Sequence, residues 1–180
     1  MTTEHALFLR AINTGARRVT NEQLLAPLVA AGFADVSAYQ AAGNLLVSAD
    51  GNEAVDLEPD VLTALLSDAY GFDTPVFVRS GIELQSVVER CPFTAAQIAA
   101  TSGMVQVTFM GDRPSAEQIS AVADITPAED LVSFDGSEWF WLPVDGVSGS
   151  KLSVRAVEHI VGPMTMRTLG TVRRILDRLG

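Results

Sequence analysis

Residues 104–144 read MVQVTFMGDRPSAEQISAVADITPAEDLVSFDGSEWFWLPV, and the fold is predicted chiefly from the secondary-structure signals in this segment. Met104–Met110 places valine and phenylalanine at alternate positions, which is typical of a strand. Ser115-Ala116-Glu117-Gln118 matches a capping box and predicts a helix to about Ala123. Two short apolar runs on either side of Asp135-Gly136-Ser137 predict a hairpin. The stretch is therefore a β-α-β-β unit.

A further helix and strand complete a β-α-β-β-α-β order in this half, and the first half of the chain has the same order. In the first half we predict strands at Leu7–Ile12, Val36–Gln40, Leu45–Ala49 and Pro75–Arg79, and helices after Thr20-Asn21-Glu22-Gln23 and over Asp56–Tyr70. Two helices, Ser80–Arg90 and Thr94–Ala100, connect the halves. The second half continues with strands Leu131–Phe134, Trp139–Val144 and Met164–Arg167 and helices Lys151–Val161 and Thr168–Leu179.

The repeated order predicts an α+β protein of two tandem ferredoxin-like (βαββαβ) units with antiparallel sheets and a C-terminal helix. We expect a first unit over residues 1–80, a connecting helical segment over 81–103 and a second unit over 104–180. Helices should cover one face of each sheet. Leu7–Ile12 and Met104–Met110 should be the central strands of their sheets.

Composition indicates a globular chain, since 48% hydrophobic and 19% charged residues among 180 are enough to fill a core. Cys91 is the single cysteine, which excludes an internal disulfide and fits a reducing compartment. Leu24–Ala34, the longest largely apolar stretch, is too short for a membrane span. The apolar run after Met1 is too short for a signal sequence. We therefore expect a cytoplasmic protein without a membrane partner.

The net charge of −10 is unevenly distributed. Residues 50–150 carry seventeen acidic and three basic groups, whereas residues 151–180 carry six basic and two acidic groups. An acidic middle segment repels polyanions, so nucleic acid is not a favoured partner. The basic tail is either a local anion site or the cationic end of a terminal helix, which the helix dipole favours.

Several segments of the chain are similar to recurring sequence motifs. Leu9-Arg10-Ala11-Ile12-Asn13-Thr14-Gly15 resembles L-R-G-I-N-V-G-G, and VSAYQAAGNLLV at 36–47 resembles V-x-T-Y-x-x-S-G-N-V-V-F. Cys91-Pro92-Phe93 is similar to N-P-F, Gly149-Ser150-Lys151-Leu152 to x-S-K-L, and Met164–Leu176 to T-T-R-N-W-N-T-V-x-K-L. In these motifs the chain resembles a bacterial family, domain-of-unknown-function family 1697. The resemblance covers nearly the whole chain and implies a tandem ferredoxin-like fold with no established activity.

The chain departs from the family motifs at several positions. Ala11 replaces a glycine, and Ala42 replaces the serine of S-G-N. The R-N-W-N-T block appears as Arg167 followed by Thr168, Leu169, Gly170 and Thr171, without the asparagines and the tryptophan. If this block contributes to a ligand site, the chain has lost parts of that site.

A polar recognition site is predicted where the first strand ends. The antiparallel neighbour of that strand begins there, so Asn13 should lie beside Gly43 and Asn44, with Arg10 close by. A guanidinium and two amides suit the oxygens of a small anionic ligand. The alternative is that both asparagines bond to loop backbone groups, and the two roles can coexist.

A glycine-rich loop, Asp145–Lys151, supplies further candidates for ligand binding. Ser150 and Lys151 precede a predicted helix, where free N–H groups and the only lysine would attract an anion. Lys151 and Arg167 could close the first site from the second half. The alternative reading is that Ser148 or Ser150 caps the helix and Lys151 is solvated. The Walker spacing is absent, and adjacent Ser150 and Lys151 make a poor nucleophile–base pair.

Other chemically active residues do not assemble into a site. Trp139 and Trp141 share one strand face, where core packing competes with a base-stacking platform. His5 and His159 are isolated in the sequence, so we expect no metal. We also expect no cofactor, and no catalytic set is identifiable, which leaves enzymatic activity open.

Three functions follow from these observations. The first is a module that binds a small anionic ligand at Arg10, Asn13, Gly43 and Asn44, with Ser150, Lys151 and Arg167. The second is a nucleic-acid-binding module that uses a sheet face, which the acidic segment disfavours. The third is a protein-interaction or homodimer scaffold that uses an exposed sheet edge. A concave pocket around the cluster would favour the first, and a flat basic stripe the second.

Overall fold

The computed structural model describes residues 3–10, 12, 18–40, 42–49 and 57–180. Over these residues the chain is α+β, with two four-stranded antiparallel sheets and seven helices. It divides into two compact units, Met1–Gln85 with Ile175–Gly180 and, separately, Ser86–Arg174. None of the described helices combines the length and the apolar character that crossing a bilayer requires.

The first unit contains a sheet with the strand order β2-β3-β1-β4. The central strand β1 pairs with β3 on one side and with β4 on the other, and both pairings are antiparallel. The strands are β1 (Thr3–Leu9), β2 (Ala34–Ala38), β3 (Asn44–Ala49) and β4 (Val76–Ser80).

The second unit has a sheet with the corresponding order β6-β7-β5-β8. Its strands are β5 (Gln106–Met110), β6 (Leu131–Asp135), β7 (Glu138–Leu142) and β8 (Met164–Thr168). The central strand β5 pairs antiparallel with β7 and β8. The prediction that the first strand of each half is central in its own antiparallel sheet is therefore confirmed.

The helices begin where the sequence places caps. Thr20 and Gln23 form a reciprocal capping box, and so do Ser115 and Gln118, as predicted. Gly71 ends α2 in the left-handed region, at φ 73°. The helices are α1 (Asn21–Ala30), α2 (Pro59–Tyr70), α3 (Gly81–Glu89), α4 (Ala95–Ala99), α5 (Ala116–Ile125), α6 (Val154–Val161) and α7 (Leu169–Leu179).

Two predicted boundaries are wrong in ways that affect the candidate site. The first strand covers Thr3–Leu9 rather than Leu7–Ile12, so Arg10 follows the strand instead of lying within it. Helix α6 begins at Val154 and is capped by Ser153, whose Oγ accepts from Ala156 N. Neither Ser148 nor Ser150 is therefore a helix cap.

Both faces of the central strands are buried, although helices were expected to cover one face only. In β1, Leu7 and Leu9 join the core formed with α1 and α2, and Phe8 on the opposite face is equally buried. In β7 all five residues are buried, including Trp139 and Trp141. Strands without polar residues at alternate positions are typical of sheets that are covered on both faces.

The core of the second unit contains two polar atoms that have no hydrogen-bond partner among the described residues. They are Thr108 Oγ1 and Trp139 Nε1, and the two residues lie opposite each other on β5 and β7. A buried hydroxyl without a partner loses its bonds to water and gains none in return. The Thr108 hydroxyl therefore lowers the stability of this core.

We predict that Thr108→Val, which replaces this hydroxyl by a methyl group, raises the free energy of unfolding by about 1 kcal/mol. Thr126→Val is the matched control, because Thr126 Oγ1 donates to Val122 O at 2.7 Å and its loss should destabilise the protein. Urea unfolding of both variants measures the difference. A T108V variant that loses as much stability as T126V would contradict the prediction.

Candidate functional site

The turn between β2 and β3 is held by Asn44. Its Nδ2 donates to Tyr39 O at 3.0 Å, and its backbone O accepts from Tyr39 N at 2.9 Å. The residue is 1% exposed. Asn44 therefore performs the turn role that the sequence analysis kept as an alternative to ligand binding.

Gly43 allows the turn to approach the end of β1 closely. Its O accepts from Leu9 N at 2.7 Å, and its φ is 71°. A Cβ at this position would lie 3.0 Å from both Leu9 Cβ and Ile12 Cγ1. Only glycine combines this conformation with this contact without displacement of the neighbouring side chains.

Arg10 follows β1 directly and is half-buried. Its backbone N donates to Pro75 O at 3.0 Å, which ties the residue to the segment that enters β4. The first unit thus brings Arg10, Gly43 and Asn44 to one end of its sheet. Asn13 lies outside the described residues.

The corresponding end of the second sheet has the same backbone connection. Met110 N donates to Ser137 O at 2.9 Å, as Leu9 N does to Gly43 O in the first sheet. Glu138, which is 7% exposed, lies opposite Phe109.

The side chains at these corresponding positions differ in charge. In the first sheet Phe8 lies opposite Asn44, so Glu138 takes the place of Asn44 in the second sheet. Gly111 follows β5 as Arg10 follows β1. The end of the first sheet therefore carries a guanidinium, whereas the end of the second carries a buried carboxylate.

Ser150 belongs to a partly buried hydrogen-bond network around the buried Asp130. Its Oγ donates to Asp130 Oδ2 at 2.6 Å and accepts from Leu152 N at 3.0 Å. Asp130, which is 7% exposed, also accepts from Trp141 Nε1 and Val144 N, each at 3.0 Å. No local sequence pattern indicates the role of Asp130, because its partners lie eleven to twenty residues further along the chain.

Lys151 is exposed and lies in the segment before α6. It belongs to the second unit, as Ser150 and Arg167 do, whereas Arg10, Gly43 and Asn44 belong to the first. The solvated state that the sequence analysis gave as the alternative for Lys151 is thus the one observed.

Arg167 lies in the edge strand β8, and its Nη1 donates to Thr165 Oγ1 at 2.9 Å and to Met166 O at 2.8 Å. Desolvation by the surrounding protein lowers the pKa of Arg167 to about 10. Arg79 makes the corresponding contact in the first sheet, where its Nη1 donates to Val78 O at 2.7 Å. Arg79 was not among the predicted site residues.

The remaining candidates are structural. Trp139 and Trp141 stack with their ring centroids 5.7 Å apart and are fully buried, which confirms core packing and excludes a base-stacking platform. In the part of the chain that the structure describes, no group of three or more His, Cys, Asp or Glu could hold a metal ion.

We predict that Ser150→Ala lowers the free energy of unfolding by about 2 kcal/mol, because it removes a hydrogen bond to a buried carboxylate. The exposed Ser148 in the same loop is the matched control, and Ser148→Ala should change stability by less than about 0.5 kcal/mol. Denaturant unfolding compares the two. Equal stabilities would show that the contact with Asp130 contributes nothing.

Comparisons with known proteins agree with this architecture. A solved structure of a conserved bacterial protein from Streptococcus pneumoniae superposes with a TM-score of 0.70 at 18% identity, covering 100% of both chains. At this identity the likeness concerns the fold alone. No curated protein matches the sequence. The family model described as "Protein of unknown function (DUF1697)" matches residues 1–140, and the chain therefore belongs to that family.

Proposed function

We propose that this protein binds a small anionic ligand at the end of the first sheet, with Arg10 as the principal contact. The observation that carries the proposal is the half-buried residue Arg10 directly after the central strand, beside the close Gly43 turn. A guanidinium offers five N–H donors in a fixed plane that matches carboxylate and phosphate oxygens. The Asn44 amide donates to the turn, so we assign Asn44 to positioning.

The glycine turn supports the proposal sterically. Because Gly43 has no side chain, the backbone of the β2–β3 connection packs directly against Leu9 and Ile12. This packing fixes the end of β1 and hence the backbone that carries Arg10. A cation on a rigid backbone loses less conformational freedom on binding than one on a mobile loop.

We also propose that the two units are duplicated ferredoxin-like modules. The two sheets share the order of their strands, and β1 and β5 each pair with the third and fourth strands of their own unit. The backbone bond after the central strand is the same in both. Arg79 and Arg167 occupy matching register positions, opposite Ala6 and Val107.

Duplication makes the charge difference between the sheet ends informative about function. Two copies of a duplicated module have the same residues at first. The difference between Arg10 in one unit and Gly111 in the other therefore reflects later divergence. The Glu138 carboxylate at the second end repels anions. Of the two sheet ends, we therefore assign anion binding to the first alone, and we assign Ser150 to structure. Lys151 and Arg167 stay candidate anion contacts of the second unit.

A nucleic-acid-binding sheet face fits the burial pattern less well than an anion site at a sheet end. Phe8 and Phe77 in the first sheet and Val107 and Phe140 in the second are at most 4% exposed. Bases need exposed aromatic rings on which to stack. The excess of acidic residues in the middle segment also opposes polyanion binding.

Calorimetric titration with inorganic phosphate tests the proposal. We expect Arg10→Ala to weaken phosphate binding by about tenfold or more, because a charge-assisted hydrogen bond contributes 1.5–3 kcal/mol. Arg113→Ala is the matched control, since Arg113 is exposed in the loop after β5 and should have no effect. Arg10→Lys keeps the charge but lacks the planar donor pair. Its affinity for phosphate should therefore lie between those of the wild type and Arg10→Ala.

Unchanged binding by a folded Arg10→Ala variant would overturn the proposal, and so would an equal loss in Arg113→Ala. If Arg10→Ala unfolds, Arg10→Lys decides the matter, because it preserves the charge and the aliphatic stem. Binding of Arg10→Lys at wild-type affinity would then contradict the planar contact that we assign to Arg10.

A further inference from the structure

We propose that the first unit has a second ligand site, which binds a small aliphatic amino acid through both its ammonium and its carboxylate group. The site is a cleft of about 170 Å³ between the sheet and the last turn of α7. Glu4 lies at the start of β1 and Arg10 just beyond its end, about 20 Å apart at the rise of a strand. The cleft is therefore independent of the proposed anion site.

One carboxylate oxygen of Glu4 is the first observation that points to a ligand. Glu4 lines the cleft, and its Oε2 is shielded from solvent without a hydrogen-bond partner among the described residues. A shielded carboxylate oxygen costs free energy unless a donor or a cation reaches it. A ligand ammonium group bound in the cleft would place a cation beside this carboxylate.

A β-bulge brings a second carboxylate to the same cleft. The register between β2 and β3 shifts between Ala34 and Ser37, so β2 carries one extra residue there. Asp35 lies in this bulge with a φ of 48°, a left-handed conformation that few residues other than glycine adopt. Bulges at sheet edges redirect side chains, and Asp35 lines the cleft beside Ser37.

The cation at the rim of the cleft is Arg178, in the last turn of α7. Its guanidinium carbon lies 4.8 Å from the centre of the Tyr39 ring. This contact places the cation against the ring. A guanidinium has five N–H groups, so those that do not contact the ring can donate to a ligand carboxylate.

The lining therefore offers partners for the two charged ends and the apolar body of one small molecule. An ammonium group has three donors, for which Glu4, Asp35 and the Ser48 hydroxyl supply acceptors. Ser48 lies directly opposite Glu4 on β3. Leu46 and Leu179 add apolar surface that suits a short aliphatic side chain.

Amide NMR of the full chain titrated with L-alanine tests this site. We expect the amide chemical shifts of Glu4 and Ser48 to change as L-alanine is added. Propylamine and propionate each carry only one of the two charged groups, and we expect both to bind at least about tenfold more weakly than L-alanine. If L-alanine leaves both amides unchanged, the proposal is wrong. If propylamine binds as tightly as L-alanine, the assignment of Arg178 to the carboxylate is wrong.

Two neutralising substitutions test the individual contacts. Glu4→Gln and Arg178→Gln should each weaken L-alanine binding by about tenfold or more, since each removes a charge-assisted bond. Their matched controls are Glu22→Gln in α1 and Arg173→Gln in α7, both of which are exposed and should bind as wild type does. Wild-type affinity in either test variant, or an equal loss in its control, would overturn the proposal.

Discussion

Burial of both faces of the two central strands is the constraint on which the rest of the structure depends. In β1 and β5 the side chains that point to either face of the sheet are at most 1% exposed from Ala6 to Leu9 and from Val107 to Met110. Such strands can only lie between two others, since each edge position would leave backbone groups unpaired. Central positions for β1 and β5 then determine where the neighbouring turns meet them.

The polar groups of the candidate anion site lie where the central strand of the first sheet ends. At one end of the first sheet the Gly43 turn packs against the end of β1, and the Asn44 amide donates to the backbone of the turn. Arg10 adds a positive charge there. The second sheet keeps the same backbone bond but has Ser137 and Glu138 at this turn. One backbone arrangement thus carries opposite charges in the two units, and the proposal that the first unit binds an anion rests on this difference.

Much of the fold could be predicted from the sequence because its signals are local. Thr20 with Gln23, Ser115 with Gln118 and Gly71 are caps whose chemistry involves residues within one helical turn. The strand order followed from the repeated order of elements. The start of β1 was misplaced because Thr3-Glu4-His5 is polar, and only pairing with Ala49, Ser48 and Val47 makes it a strand.

The candidate sites were less predictable because they depend on distant contacts. Ser150 was assigned to ligand binding from its glycine-rich loop, whereas its partner Asp130 lies twenty residues earlier. The cleft at Glu4 and Arg178 joins residues from the two ends of the chain, and no local pattern indicates such a contact. For Arg10, Gly43 and Asn44 the sequence correctly indicated a shared end of the sheet, but it could not divide the turn role from the ligand role.

The most direct test of this account is an amide NMR titration of the intact protein with inorganic phosphate, because it locates the bound anion in one sheet or the other. The charge difference between the two sheet ends predicts that the amides of Leu9, Arg10 and Gly43 shift with increasing phosphate. The corresponding amides of Met110, Gly111 and Ser137 should stay unchanged. Equal shifts at both ends, or shifts at the second end alone, would contradict the account.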